Sequence, residues 1–205
     1  MQRAIRFAAL SLLITLAAFA TSRDFWHELM LGNARYVKGK IVYKHLKAQR
    51  RANAEHQYPP VTVLSCADSR VPPELIFDHS VGDLFVVRVA GNVADEFALA
   101  SIEYAVVKGY TKLIVVMGHE RCGAVEAAID GKKLPSDALN NLVAHISKNI
   151  GVAPPPLEAA IKKNAKASTQ DLLDRSEIIR DAVKEQKLRI VTAYYSFDGR
   201  VTEID

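Results

Sequence analysis

Val61-Thr62-Val63-Leu64 is a short apolar run rich in β-branched side chains, which is the pattern of a strand buried in a parallel sheet. Similar runs occupy residues 84–89 and 112–117. Between these runs, apolar residues recur at the spacing of amphipathic helices, as Ala98 and Ile102 do. Strands that alternate with helices predict an α/β fold, in which a central, mostly parallel β-sheet is flanked by helices on both faces.

The remaining elements follow from the same patterns and from turn residues. The first helical stretch, residues 24–54, contains Gly32-Asn33, which predicts a helix stop or a turn. A short helix is predicted to begin near Glu74, directly after two prolines. Other helices are predicted over residues 95–108, 122–129, 139–150, 157–167 and 169–186, and late strands over residues 188–195 and 201–204, with a turn between them.

The composition is that of an ordinary globular protein. The chain has 205 residues, of which 49% are apolar and 24% are charged, and one folded domain is the natural expectation for this length. The formal net charge of +4 is mild, and the chain has no block of lysines and arginines with interleaved aromatic residues. Nucleic acid is therefore not an expected partner.

The first 20 residues have the pattern of a secretory signal peptide. Two arginines precede an uncharged run over residues 7–20, and Ala18-Phe19-Ala20 fits the small-x-small pattern of a cleavage site. The run has 14 residues, whereas a membrane span needs about 20, so no stable membrane span is expected after cleavage. We expect residues 21–205 to form a single domain that is periplasmic or secreted. An uncleaved membrane anchor and an amphipathic helix of the folded domain remain as alternatives.

The two cysteines lie in segments that the predicted fold brings together. Cys66 and His119 each follow a predicted strand directly, and the carboxyl ends of parallel strands meet at one edge of a sheet. Cys122 lies three residues beyond His119, so that both side chains can converge on one ion. Two thiolates and one imidazole are zinc ligands, and a site with three protein ligands keeps a fourth position open for chemistry.

Other roles for these cysteines stay open at this point. In an oxidising compartment Cys66 and Cys122 could instead form a disulfide. Free cysteine is also often a small buried apolar side chain. A two-cysteine redox protein is a further alternative, although the chain has no Cys-x-x-Cys motif.

Four segments carry a more specific pattern. They are Cys66-Ala67-Asp68-Ser69-Arg70-Val71-Pro72, Gly118-His119-Glu120-Arg121-Cys122-Gly123-Ala124 and, between these two, residues 82–92 and 101–106. In their order and spacing they resemble the β-class carbonic anhydrases. The resemblance is close over residues 57–129, looser over residues 31–35, and fades after residue 151.

The resemblance implies a metal site and a reaction. One Zn²⁺ ion per subunit would be held by Cys66, His119 and Cys122. Asp68 and Arg70 match the catalytic pair of the family, in some members of which this aspartate can itself occupy the fourth zinc position. The implied reaction is the reversible hydration of carbon dioxide to bicarbonate and a proton through a zinc-bound hydroxide.

The resemblance also implies a substrate pocket and an assembly. The expected substrate-binding residues are Gln57, Phe85, Tyr104 and Gly123. Gln57 matches a glutamine that hydrogen-bonds substrate across a subunit interface, and Gly123 falls where a backbone group faces the pocket. The family assembles as dimers or larger even-numbered oligomers, so a homodimer or homotetramer is expected, with residues 24–54 as a helical arm on the partner.

Two other functions remain open from the sequence. The same scaffold could hydrolyse carbonyl sulfide or carbon disulfide. Alternatively, the protein could bind zinc or bicarbonate without catalysis. The joint presence of Asp68, Arg70 and Gln57 argues against a catalytically silent protein, because the loss of any one of them would have favoured it.

Overall fold

The computed structural model describes residues 25–42 and 46–204. The predicted signal peptide, residues 1–20, lies outside the described residues. Among the helices that are described, none is both long enough and apolar enough to cross a membrane.

A five-stranded sheet forms the centre of the described part of the chain. Its strands are β1 (Val61–Ser65), β2 (Leu84–Arg88), β3 (Leu113–His119), β4 (Arg189–Tyr195) and β5 (Val201–Glu203). The strand order is β2-β1-β3-β4-β5, in which β1 to β4 are parallel and β5 is antiparallel to β4. This topology confirms the predicted mostly parallel sheet.

Helices cover both faces of this sheet. They are α1 (residues 25–37), α2 (Leu46–Ala52), α3 (Pro73–Ile76), α4 (Glu96–Val107), α5 (Gly123–Asp130), α6 (Asp137–Ile150), α7 (Leu157–Arg175) and α8 (Glu177–Lys184), with a 3₁₀ turn at Ala90–Asn92. The side-chain oxygens of Asp95, Ser136 and Ser176 accept backbone N–H groups from the first turns of α4, α6 and α8. These caps satisfy N–H groups that have no partner inside the helix, and so fix where each helix begins.

Successive strand residues face two different cores. On β1, Val63 packs into a core that includes Phe77, whereas Leu64 packs into a second core with Ile102 of α4 and Ile179 of α8. All five side chains are fully buried. Because both faces are covered there, β1 and β3 are buried along their whole length and show no polar alternation, as their sequences indicated.

The helical stretch predicted over residues 24–54 consists of two helices, and the predicted stop at Gly32-Asn33 is wrong. Helix α1 continues through both residues to residue 37. Gly32 lies so close to the backbone carbonyl of Phe77 that a β-carbon would overlap it. Glycine is therefore required here by close packing inside the helix rather than by a turn.

Asn33 joins α1 to two distant parts of the chain. Its side chain is buried, and its amide group donates hydrogen bonds to the carbonyl oxygens of Ile76 (3.1 Å) and Gly199 (2.8 Å). Its carbonyl oxygen accepts the N–H of Val201 at 3.0 Å. These tertiary bonds outweigh the weak helix propensity of asparagine, which suggested a stop.

The predicted break between the last two helices, at residue 168, is also wrong. The break lies at Ser176, whose hydroxyl caps α8. Ser168 is fully buried inside α7. The hydroxyl of Thr169 donates to the carbonyl oxygen of Ala165 at 3.2 Å, a local bond that the interior of a helix accommodates.

We expect Asn33→Ala to lower the free energy of unfolding by about 2–4 kcal/mol, because the truncation leaves three buried backbone groups without their partner. Urea unfolding followed by circular dichroism measures this change. Asn141→Ala, on the exposed side of α6, is the matched control, and it should change the free energy by less than about 0.5 kcal/mol. Equal effects of the two variants would contradict the bridging role of Asn33.

Candidate metal centre

The carboxyl edge of the sheet brings the three predicted metal ligands together. Cys66 follows β1 directly, His119 is the last residue of β3, and Cys122 is the N-cap of α5. Ser65 pairs with Met117 in the parallel register of β1 and β3, so the two strand ends lie side by side. The ligand atoms of the three residues all lie within 4.8 Å of one another, and all three residues are buried.

The distances and hydrogen bonds of this cluster fit a zinc ion. The two sulfurs are 4.0 Å apart, which is too far for a disulfide. Two sulfurs bound tetrahedrally to one zinc ion, each at about 2.3 Å, would be about 3.8 Å apart. Nδ1 of His119 donates to the carbonyl oxygen of Glu120 at 2.8 Å, so that Nε2 carries the free lone pair. Nε2 is buried and has no hydrogen-bond partner among the described residues, as a ligand nitrogen would in the absence of its metal.

The environment of the sulfurs favours a thiolate at Cys66. The hydrogen bond from Cys122 lowers the pKa of the Cys66 thiol to about 4, and the N–H of Gly91 also donates to this sulfur at 3.2 Å. The same bond between the sulfurs, together with burial, raises the pKa of Cys122. Gly91 has a φ of +66°, at which a side chain is strained, and a β-carbon there would lie 2.7 Å from Cδ1 of Ile146. Its carbonyl oxygen accepts from Asn164 at 2.7 Å, which holds this N–H donor in place.

Asp68 and Arg70 form a two-pronged ion pair next to the ligands. Nε and Nη2 of Arg70 donate to the two carboxylate oxygens of Asp68 at 2.9 and 2.7 Å, and the Arg70 N–H donates to the same carboxylate at 2.9 Å. The Arg70 side chain lowers the pKa of Asp68 to about 2. Asp68 is therefore ionised at neutral pH and is held by arginine, outside the cluster of Cys66, His119 and Cys122.

Arg88 is a site residue that the sequence analysis missed. It pairs with Ser65 in the register of β1 and β2, and its guanidinium donates to the carbonyl oxygens of Cys66 (3.0 Å) and Asp68 (2.5 Å). These bonds fix the backbone on both sides of the first ligand. The available signal was a charged residue that ends the otherwise apolar strand β2, because this exposed strand end lies at the carboxyl edge of the sheet, where sites form in open parallel sheets.

Three of the four predicted substrate-binding residues lie away from the metal ligands of their own chain. Gln57 is exposed and lies four residues before β1, and Phe85 pairs with Thr62 near the start of β1. Tyr104 is 48% exposed and lies late in α4, which returns from the carboxyl edge of the sheet to the amino edge. All three therefore lie toward the amino edge. Gly123 lies at the metal edge, as the first residue of α5, with open space where a β-carbon would be.

Comparison with known proteins agrees with this geometry. The profile of the carbonic anhydrase family matches residues 61–201. The carbonic anhydrase of Mycolicibacterium smegmatis is 37% identical over 185 residues, which are 86% of this chain and 90% of that protein. The structure of the β-carbonic anhydrase CcaA matches with a TM-score of 0.68 at 25% identity, over 89% of this chain and 88% of that one.

A second solved structure extends the comparison. It is one of two tetrameric β-carbonic anhydrases from Sordaria macrospora, and it matches with a TM-score of 0.65 at 24% identity over 77% of this chain and 90% of that one. The sequence match and the fold, with its open parallel sheet and its two cysteines and one histidine at one edge, lead to the same assignment. The chain belongs to the β-class of the carbonic anhydrase family.

Proposed function

We propose that the protein catalyses the reversible hydration of carbon dioxide to bicarbonate and a proton, with one zinc ion per subunit held by Cys66, His119 and Cys122. The observation that carries this proposal is the convergence of two buried sulfurs with an unpartnered imidazole nitrogen. Family membership supports the reaction, and the donor set supports the metal. When bound, zinc would supply a Lewis acid that lowers the pKa of a water molecule toward neutrality.

Asp68 orients the attacking water in this proposal. Its carboxylate is ionised and accepts a hydrogen bond from that water, which directs the oxygen lone pair at the carbon of carbon dioxide. A carboxylate with a pKa of about 2 is a weak base, so it does not retain the proton, which passes on to solvent. The two-pronged pair with Arg70 holds the carboxylate in position.

We expect the purified protein to contain one zinc ion per chain and to hydrate carbon dioxide, and Cys66→Ser to lose both properties. The substitution removes one of three ligands and leaves a donor that binds zinc poorly. Elemental analysis and stopped-flow hydration assays measure the two quantities. His27→Ala, which changes an exposed histidine outside the cluster, is the control and should retain both. A zinc-loaded wild-type protein without hydration activity would overturn the proposed function.

We expect Arg70→Lys to retain zinc and to lose at least about tenfold in kcat. An ammonium group keeps the charge but cannot bond both carboxylate oxygens in the geometry of a guanidinium fork. Arg189→Lys is the matched control, because Arg189 pairs with Glu203 and lies at the amino end of β4. Loss of zinc in Arg70→Lys, or full activity, would count against the role given to the Asp68–Arg70 pair.

We further propose that Gln57, Phe85 and Tyr104 serve the metal site of a second subunit in a homodimer or homotetramer. Their position toward the amino edge of their own sheet supports this, since the metal ligands lie at the opposite edge. The tetrameric relatives from Sordaria macrospora support an oligomer. In a two-fold symmetric pair each subunit would complete the other's site.

Mixed oligomers test this arrangement. We expect Gln57→Ala and Cys66→Ser to be weakly active or inactive alone, and an equimolar mixture, after dissociation and reassociation, to recover about a quarter of the wild-type activity. Half of the randomly formed pairs are mixed, and each mixed pair contains one site with both residues intact. Each variant alone, taken through the same dissociation and reassociation, is the control. No recovery in verified mixed oligomers would place Gln57 in its own subunit's site or outside any site.

We also propose that residues 1–20 are removed on export, so that residues 21–205 remain as a single periplasmic or secreted domain with residues 24–54 as its arm. The charged start, the uncharged run and the small-x-small end support this proposal. The N-terminal sequence of the protein recovered from native cells distinguishes it from an uncleaved membrane anchor.

A further inference from the structure

We propose that Phe197 is a positioning residue for the reaction: its ring holds the guanidinium of Arg70, and thereby Asp68, and the carboxylate of Glu120 fixes Phe197 in turn. This inference rests on the proposed function of the Asp68–Arg70 pair. Phe197 lies in the turn between β4 and β5, more than 120 residues along the chain from that pair. The sequence motifs did not include it.

The ring of Phe197 faces the guanidinium of Arg70 directly. The Arg70 Cζ lies 4.4 Å from the ring centroid, within the range of a cation–π contact. The side chain of Arg70 is 50% exposed, so the surrounding protein does not confine it on all sides. The ring packs against the guanidinium. The carboxylate of Asp68 and the carbonyl oxygen of Arg121 (3.3 Å) accept its hydrogen bonds. A long, half-exposed side chain without such a packing contact would sample several rotamers, and its carboxylate partner would move with it.

The ring is itself held in place by its neighbours. Its centroid lies 6.0 Å from that of Tyr195 at an interplanar angle of 80°, which is an edge-to-face contact. It lies 6.1 Å from the imidazole of His119. Phe197 therefore contacts the proposed metal ligand His119 on one side and Arg70 on another.

Glu120 connects this turn to the metal centre. Its Oε2 accepts the N–H of Phe197 at 2.8 Å, and its own N–H donates to the carbonyl oxygen of Tyr195 at 2.8 Å. Its carbonyl oxygen accepts from Nδ1 of His119, also at 2.8 Å. One residue thus bonds to the proposed zinc ligand, to the end of β4 and to the turn that carries the aromatic ring. Glu120 acts through Phe197, and Phe197 acts through Arg70.

Two substitutions distinguish the effect of the aromatic ring from the effect of an apolar side chain as such. Phe197→Leu keeps an apolar side chain but removes the π-face, whereas Phe197→Tyr keeps the ring. We expect Phe197→Leu to lower kcat for carbon dioxide hydration by roughly three- to tenfold, to change KM by less than about twofold and to retain zinc. Phe197→Tyr should stay within about twofold of wild-type kcat. A fall in kcat without a comparable change in KM distinguishes an effect on the chemical step from a general loosening of the site.

Two further measurements test whether Phe197 acts through Arg70 and whether Glu120 acts through Phe197. In an Arg70→Lys background, Phe197→Leu should cost less than about twofold in kcat, because the guanidinium on which the ring acts is already absent. Glu120→Gln retains an oxygen acceptor for the Phe197 N–H and should keep most of the activity, whereas Glu120→Ala should approach the loss seen in Phe197→Leu.

The inference is overturned if Phe197→Leu has wild-type kcat, if Phe197→Tyr loses as much as Phe197→Leu, or if activity falls only in proportion to bound zinc. Full, independent losses from Phe197→Leu and Arg70→Lys in the double variant would also overturn it. Each of these outcomes leaves the proposed function intact, which fails only if the zinc-loaded wild type does not hydrate carbon dioxide.

Discussion

The parallel pairing of β1 with β3 is the constraint on which the site depends. It sets Ser65 opposite Met117, and so places Cys66 beside the end of the strand that His119 terminates. A slip of one residue would exchange the side chains between the two cores and move Val63 to the wrong face of the sheet. Apolar packing on both faces therefore fixes the register, and the three candidate metal ligands meet as a consequence of that packing.

Two sets of charged groups lie at this cluster, namely the sulfurs themselves and the arginines next to them. The hydrogen bond between the two sulfurs lowers the pKa of Cys66 and raises that of Cys122, and a divalent cation would balance the charge of two thiolates. Outside the sulfurs, Arg70 and Arg88 bond to the carboxylate and to the backbone carbonyl of Asp68, respectively. The arginines thus hold an ionised carboxylate next to the candidate metal ligands but outside their cluster.

Much of the fold could be predicted because the strands are continuous apolar runs bounded by prolines and glycines. The predicted starts and ends of β1, β2 and β3 agree with the structure to within two residues. The arm was less predictable, because the helix passes through Gly32-Asn33 only as a result of contacts with residues far along the chain. Local propensity cannot contain that information.

The same distinction applies to the site. The metal cluster could be predicted from spacing and from the family motifs, since its three members follow strands or begin a helix. The contacts of Arg88 depend on strand register, and those of Phe197 and Glu120 depend on the geometry of a turn. No local sequence pattern predicts such contacts. The resemblance already implied that Gln57 acts across a subunit interface, and the direction of β1 places it away from the candidate ligands of its own chain.

The hydrogen bonds of Asn33 have a bearing on how the protein is made. They join the first described helix to Gly199 and Val201, 166 and 168 residues later, at the hairpin whose turn lies against Arg70. A chain emerging from the ribosome can form β1 to β3 long before this hairpin exists, yet the buried amide of Asn33 is satisfied only once residues 199–201 have been made. Until then, helix α1 is incompletely docked, and this is the condition in which a partner subunit would encounter it.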